Sequence, residues 1–138
     1  MGVGVADAAP SPAIERLRKR AEFLACAQAP SCARGAVVVQ ARPRNDDQLL
    51  VRAGFTATKR IGGSVQRNRA KRRMREAARL LLPDLGRPGF DYVFIARGGV
   101  TTRPWVRLLD DMKSALISLA ADSDSRARGP APVPPFPA

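Results

Sequence analysis

A chain of 138 residues carrying 24 Lys plus Arg against 12 Asp plus Glu has a formal net charge of +12, which points first to a polyanionic partner such as nucleic acid. It also contains no His, which removes the commonest general base, the Ser-His and Cys-His nucleophiles and the commonest transition-metal ligand. The length suits one domain with a core of its own and leaves little room for a second.

Residues 1–12 are small, Pro-containing and aperiodic, and residues 122–138 (DSDSRARGPAPVPPFPA) are Pro-rich with little that could pack. Both read as disordered tails around a single α/β domain at 13–121. The N-terminus lacks the basic-then-apolar order of a secretion signal, and no apolar run approaches the roughly 18 residues of a membrane span. A cytoplasmic protein without a membrane partner is expected.

Ser11-Pro12 reads as the start of a helix whose stripe is Ile14, Leu17, Ala21, Leu24 and Gln28, ending near Pro30. Cys26 and Cys32 fit neither a zinc site nor a disulfide framework and are expected as reduced, partly buried thiols. AVVVQA at 36–41 and LLVRAGFTAT at 49–58 read as two strands of a hairpin, with Asp46-Asp47 at its tip. In the second strand Val51, Ala53 and Phe55 point one way, while Arg52, Gly54 and Thr56 point the other.

Gly62-Gly63 breaks the chain before a helix capped by Ser64 and ended by Pro83 and Gly86. FDYVFIA at 90–96 is a further strand. Thr101 or Thr102 caps a last helix to about Ala121, with Trp105, Leu108, Leu109, Met112, Leu116 and Leu119 on its core stripe. The acidic pair Asp110-Asp111 falls on its solvent face. The acids are too scattered to predict a catalytic or metal-binding cluster.

Between Arg67 and Arg75 six of nine residues are Arg or Lys, and the first acid is Glu76. A solvated helix face ordinarily alternates signs at i, i+4, so this run predicts a nucleic-acid grip. Ala70, Met74, Ala77, Ala78 and Leu81 form the expected packing face, and Asn68, Arg72, Arg75 and Arg79 an outward stripe. A helix N-terminus behind a glycine turn suits phosphate, and guanidinium groups fork onto phosphate oxygens.

FTATKRIGGSVQRNRAKRRMRE at 55–76 resembles the signature of the bacterial ribonuclease P protein component: a strand ending in Lys-Arg, an Ile-Gly turn, then Arg-Asn-Arg-x-Lys-Arg-x-x-Arg. RLRKRAEF at 16–23 and the Asp-Tyr-Val-Phe-Ile-Ala-Arg strand at 91–97 agree in order. The resemblance implies an α+β fold, a small α/β sandwich of order αβββαβα resembling a ribosomal protein domain. It also implies a left-handed βαβ crossover, against the general preference for right-handed ones. A short extra strand would then occupy Pro30 to Gly35, and the first helix would begin near Arg20, placing Phe23, Cys26 and Ala27 on one face.

For function, the resemblance implies the protein subunit of a ribonucleoprotein endonuclease that removes the 5′ leader of precursor tRNA. The catalytic ribonuclease P RNA, holding most of the Mg2+, does the chemistry, and the protein carries neither catalytic nor metal residues. Lys59, Arg60, Arg67, Asn68, Arg69, Lys71, Arg72 and Arg75 would contact that RNA. The cleft between the first helix and the sheet would take the single-stranded leader against Phe23, Ala27, Val39 and Phe55, with Ala27 and Val39 standing where relatives often carry aromatics. The alternative is a general structured-RNA-binding or ribosome-associated protein with no part in cleavage; a protein-only nuclease is a third reading.

Overall fold

The computed structural model describes residues 14–127. In chain order they form β1 (Ile14–Arg16), α1 (Arg20–Ala27), β2 (Ser31–Arg34), β3 (Val37–Pro43), β4 (Val51–Thr56), α2 (Ser64–Leu85), β5 (Phe90–Ala96) and α3 (Trp105–Ala127), with a 3-10 turn at Lys59–Ile61. The strands make one mixed sheet in the order β1-β4-β5-β3-β2. β4 and β5 are parallel neighbours joined through α2, while β3 runs antiparallel to both β5 and β2.

Register sorts the sheet into two faces. Val39, Phe94 and Phe55 lie in one row and Ala41, Tyr92 and Ala53 roughly in the next, on the side covered by α2 and α3. Met74 and Leu82 from α2 and Leu108 and Met112 from α3 are fully buried against it. The other face carries Val38, Ile95 and Thr56, then Gln40, Val93 and Gly54, then Arg42, Asp91 and Arg52. Among the described residues only α1 and the segment just before it cover that side, with Leu17 and Cys26 buried over Val93.

Several sequence expectations need correction. Residues 37–43 and 51–56 do not form a hairpin: β5 lies between them. Its run is buried on both faces, as suits a central strand, whereas β3 and β4 each leave half-buried or exposed positions on one side. The helical stripe from Ile14 fails because Ile14-Glu15-Arg16 pair in parallel with Val51-Arg52-Ala53, and the Leu17 N–H donates to the Ala53 carbonyl at 2.9 Å. The helix starts at Arg20, where Glu22 Oε1 accepts the Lys19 N–H at 3.3 Å, as the family resemblance implied. The element order accordingly gains a first strand, and the short extra strand is β2.

Gly63, not Ser64, occupies the cap position of α2, and Pro83 lies inside the helix, which runs on to Leu85. Leu82 rather than Leu81 completes the buried face with Ala70, Met74, Ala77 and Ala78; Leu81 is half-buried. α3 continues to Ala127, so residues 122–127 are helical and not part of a tail. The expected tail segments 1–12 and 128–138 lie outside the described residues. Asp111 is 7% exposed and faces inward: it accepts the Ala36 N–H at 3.1 Å and both Nε and Nη2 of Arg103, tying α3 to the turn between β2 and β3. Both cysteines are free, Cys26 buried and Cys32 half-buried.

Candidate nucleic-acid interface

The basic run folds as a helix because its alanines and Met74 recur on one face, leaving the cations to point elsewhere. Asn68, Arg69, Arg72, Arg75 and Arg79 are exposed, and Arg67 and Lys71 are half-buried. Glu76 pairs with Arg79 within the helix, which holds the Glu76 carboxyl below its ordinary range. No other acid stands in this segment. The self-repulsion of the remaining cations is the physical reason for expecting an anionic partner.

The eight predicted RNA-contacting residues fall into separate places around the first half of α2. Arg67, Asn68 and Lys71 gather with Ser64 and Ala57 around a polar pocket of about 260 Å3, in which the Arg67 Nε is buried with no hydrogen-bond partner. Lys59 and Arg60 lie on the 3-10 turn and line a groove of about 630 Å3 with Arg97. Arg69 and Arg72 stand on the outer surface, and Arg75 lies over the Phe55 ring, 5.8 Å from its centroid. Arg97 follows β5, outside the basic run, and only the parallel pairing of β4 and β5 brings it to Lys59.

The entry into α2 suits an anion. Gly62 has φ of +138°, a conformation that side-chain-bearing residues rarely adopt, and no side chain caps the first turn. The N–H groups of that turn therefore remain free for solvent or a ligand, at the positive end of the helix dipole.

Arg73 belongs to the run but not to its outer surface. It donates to the carbonyls of Val100 and Arg103 and lies 6.0 Å from the Trp105 ring centroid, so it fastens α2 to the loop before α3. Burial, with Arg69 nearby, lowers its pKa from the ordinary guanidinium value. A cation count alone could not tell this anchoring arginine from the docking ones.

The predicted leader residues are split by the sheet. Phe23 lies on the α1 side, half-buried, and Ala27 is exposed at the end of α1. Val39 is fully buried on the opposite face, and Phe55 stacks there on Phe94 with centroids 5.4 Å apart. Neither can line the α1 cleft, because strand alternation turns them toward α2 and α3. Val38 and Gln40 occupy the cleft side of β3 instead. Phe23 rests on Gly54: a Cβ on that glycine would sit 2.5 Å from the Phe23 ring.

Below Phe23 the cleft floor holds a charge cluster that the sequence reading missed. Asp91 is fully buried and accepts from Arg44 at 2.9 Å, from Arg52 at 2.8 and 3.1 Å, and from Arg42 at 3.4 Å. Arg52 also reaches Glu22 of α1, linking helix to sheet. The hydrogen bonds to Asp91 raise the Arg52 pKa further. The available signal was a lone Asp in an otherwise apolar strand, since a buried carboxylate must find cations.

Among the described residues no three His, Cys, Asp or Glu side chains are grouped to hold a metal ion. Asp91 and Asp111, the two buried carboxylates, already have arginine partners.

A model of the ribonuclease P family matches residues 12–120. Over 120 residues the chain is 65% identical to the ribonuclease P protein component of Caulobacter vibrioides, spanning 87% of this chain and 80% of that one. The corresponding protein of Ruegeria pomeroyi is 52% identical over 113 residues, 80% of this chain and 90% of the relative. Among solved structures, the RNase P protein of Staphylococcus aureus shares the fold with a TM-score of 0.64 over 75% of this chain and 94% of its own, at 23% identity. That of Thermotoga maritima gives 0.60 over 72% and 92%, at 25% identity. The motif at 55–76 and these likenesses agree: the chain belongs to the ribonuclease P protein component family.

Proposed function

We propose that this chain is the protein subunit of ribonuclease P, the ribonucleoprotein endonuclease that removes the 5′ leader from precursor tRNA. The observation that carries the reading is α2, whose apolar face is spent on the sheet while its cations surround an uncapped, glycine-entered N-terminus. Lys59, Arg60, Arg67, Asn68, Arg69, Lys71, Arg72 and Arg75 dock on the catalytic RNA, chiefly through phosphates. Phe23, resting on Gly54, receives the single-stranded leader of precursor tRNA on the α1 face.

In this reading the protein supplies binding and the RNA supplies chemistry. Two structural facts support the division: the chain has no His, and its buried carboxylates are occupied by arginine. Mg2+ would be held by RNA phosphates, which the arginines help to gather. No helix among the described residues is long and apolar enough to cross a membrane, in keeping with work in the cytoplasm beside its RNA.

Reconstitution tests the proposal. Mixed with a bacterial ribonuclease P RNA at low magnesium, the protein should stimulate leader removal, and protein freed of RNA should cleave nothing. Absence of stimulation, together with equal affinity for precursor and mature tRNA, would favour a general RNA-binding protein instead.

A further inference from the structure

The recess between β1 and α2 lies on the opposite side of the sheet from Phe23. It has a volume of about 200 Å3, with Ala53, Phe55, Ala78 and Leu82 forming an apolar interior. Ala53 and Ala78 leave it open because neither side chain extends beyond Cβ. Phe55 forms one wall, held rigid by near-parallel stacking on Phe94 at an interplanar angle of 14°. Arg16, Arg75 and Arg79 surround the mouth against a single lining acid, Glu15. Arg79 is shared with Glu76, but no ion pair engages Arg16 or Arg75 among the described residues.

We propose that this recess receives one unstacked nucleobase of a bound RNA, with the base against Phe55 and its phosphates against the arginines at the mouth. The inference rests on the reading that α2 docks on RNA. An apolar slot with an aromatic wall suits the face of a base, and a cationic rim suits the backbone that carries it. Arg75 already lies over the Phe55 ring, so its guanidinium can swing outward and cover the incoming base from the other side. A purely apolar occupant would leave Arg16 and Arg75 facing it without anionic partners. The base must come from a different RNA segment than one lying against Phe23, since the sheet separates the two places.

The test uses full-length protein and two hairpin RNAs identical except that one carries a single extrahelical 2-aminopurine. The bulged RNA should bind about tenfold more tightly, within the range for stacking one base on an aromatic ring, and its fluorescence should be quenched. Phe55→Leu, with folding checked by circular dichroism, should make the two RNAs bind alike. Should that variant unfold, Arg75→Gln serves instead and should cut the difference at least about threefold. Equal affinities for the two RNAs in the unaltered protein overturn the proposal, as does a difference that survives the substitutions. A difference that emerges only when residues 1–11 are deleted also overturns it, assigning the recess to the chain's own amino-terminal segment. Neither RNA has a leader or a cleavage site, so failure here leaves the reconstitution result standing. Failure of reconstitution likewise leaves a measured bulge preference intact.

Discussion

The two faces of this sheet are held down by different physics. Toward α2 and α3 the contacts are apolar: Met74, Leu82, Leu108, Met112 and Phe94 are all fully buried. Toward α1 there is one eight-residue helix, of which only Cys26 is fully buried, and a carboxylate surrounded by arginines. A face sealed by side-chain volume is a foundation, and it lets α2 turn its cations outward. A face closed by a short helix and an ion cluster leaves open surface beside Phe23, where single-stranded RNA could lie. The sheet therefore offers a rigid support for docking and, behind it, a partly uncovered cleft.

The sharpest way to break that contrast is to remove Asp91. Asp91→Ala leaves Arg42, Arg44 and Arg52 converging without their shared carboxylate, and should cost roughly 3–5 kcal/mol in urea unfolding. If it costs under about 1 kcal/mol, the cluster does not hold the α1 face. On the other side Leu82→Ala should cost about 2–5 kcal/mol, from lost burial and the cavity left behind. The two should differ in salt dependence: screening should change the loss for Asp91→Ala and leave that for Leu82→Ala nearly constant. Equal salt response would mean that both faces rest on the same interaction.

Next in size is an effect on binding. Gly54→Ala puts a methyl group where the Phe23 ring now rests, so the ring must move off the sheet. Affinity for precursor tRNA should fall about tenfold toward that for mature tRNA, matching the roughly 1–3 kcal/mol expected for Phe23→Ala if one base stacks there. Mature tRNA binding should change little. A uniform loss on both RNAs would move the leader away from Phe23. Arg72→Ala, by contrast, should weaken both RNAs alike and flatten the log-log salt slope by about one unit for duplex RNA.

The two faces were not equally legible in the sequence. α2 and α3 announce themselves through long 3.6-residue stripes: in α2 the periodicity selects the buried face apart from Leu82 in place of Leu81, and in α3 it selects Leu108, Met112, Leu116 and Leu119 but misses the buried Asp111 and Ala115, while Trp105 and Leu109 are half-buried. The docking cations come with that stripe, because whatever is not packed points outward. The α1 face has no such signal: eight residues make barely two turns, and Ile14 and Leu24, which completed a convincing pattern, are 40% and 54% exposed. Strand order was hidden for a related reason. Chain proximity favours a hairpin between 37–43 and 51–56, and only the two-sided burial of β5 shows that a later strand must enter between them. Assigning Val39 and Phe55 to the leader cleft failed on strand alternation, which reverses a side chain's face with each residue.

The smallest effect concerns Cys26, the one fully buried residue of α1. Burial, and then the nearby Asp91 charge, disfavour its thiolate and push the thiol from the ordinary 9.0 up to about 11. A raised folded-state pKa means that the unfolded chain releases the proton first as pH climbs. The stability attributable to the neutral thiol is therefore fully present below about pH 9 and is lost as the pH rises through about 11. Comparing melting temperatures of the protein and its Cys26→Ala variant from pH 8 to 11 isolates this contribution, because the buried Tyr92 phenol, also raised by burial, is common to both. The advantage of the unaltered protein should shrink steadily over that interval, while at pH 8 a thiol reagent should label Cys32 well before Cys26. A constant difference across the interval, or equal labelling rates, would show that α1 opens readily. The α1 face would then be a loosely attached flap rather than one wall of a preformed cleft.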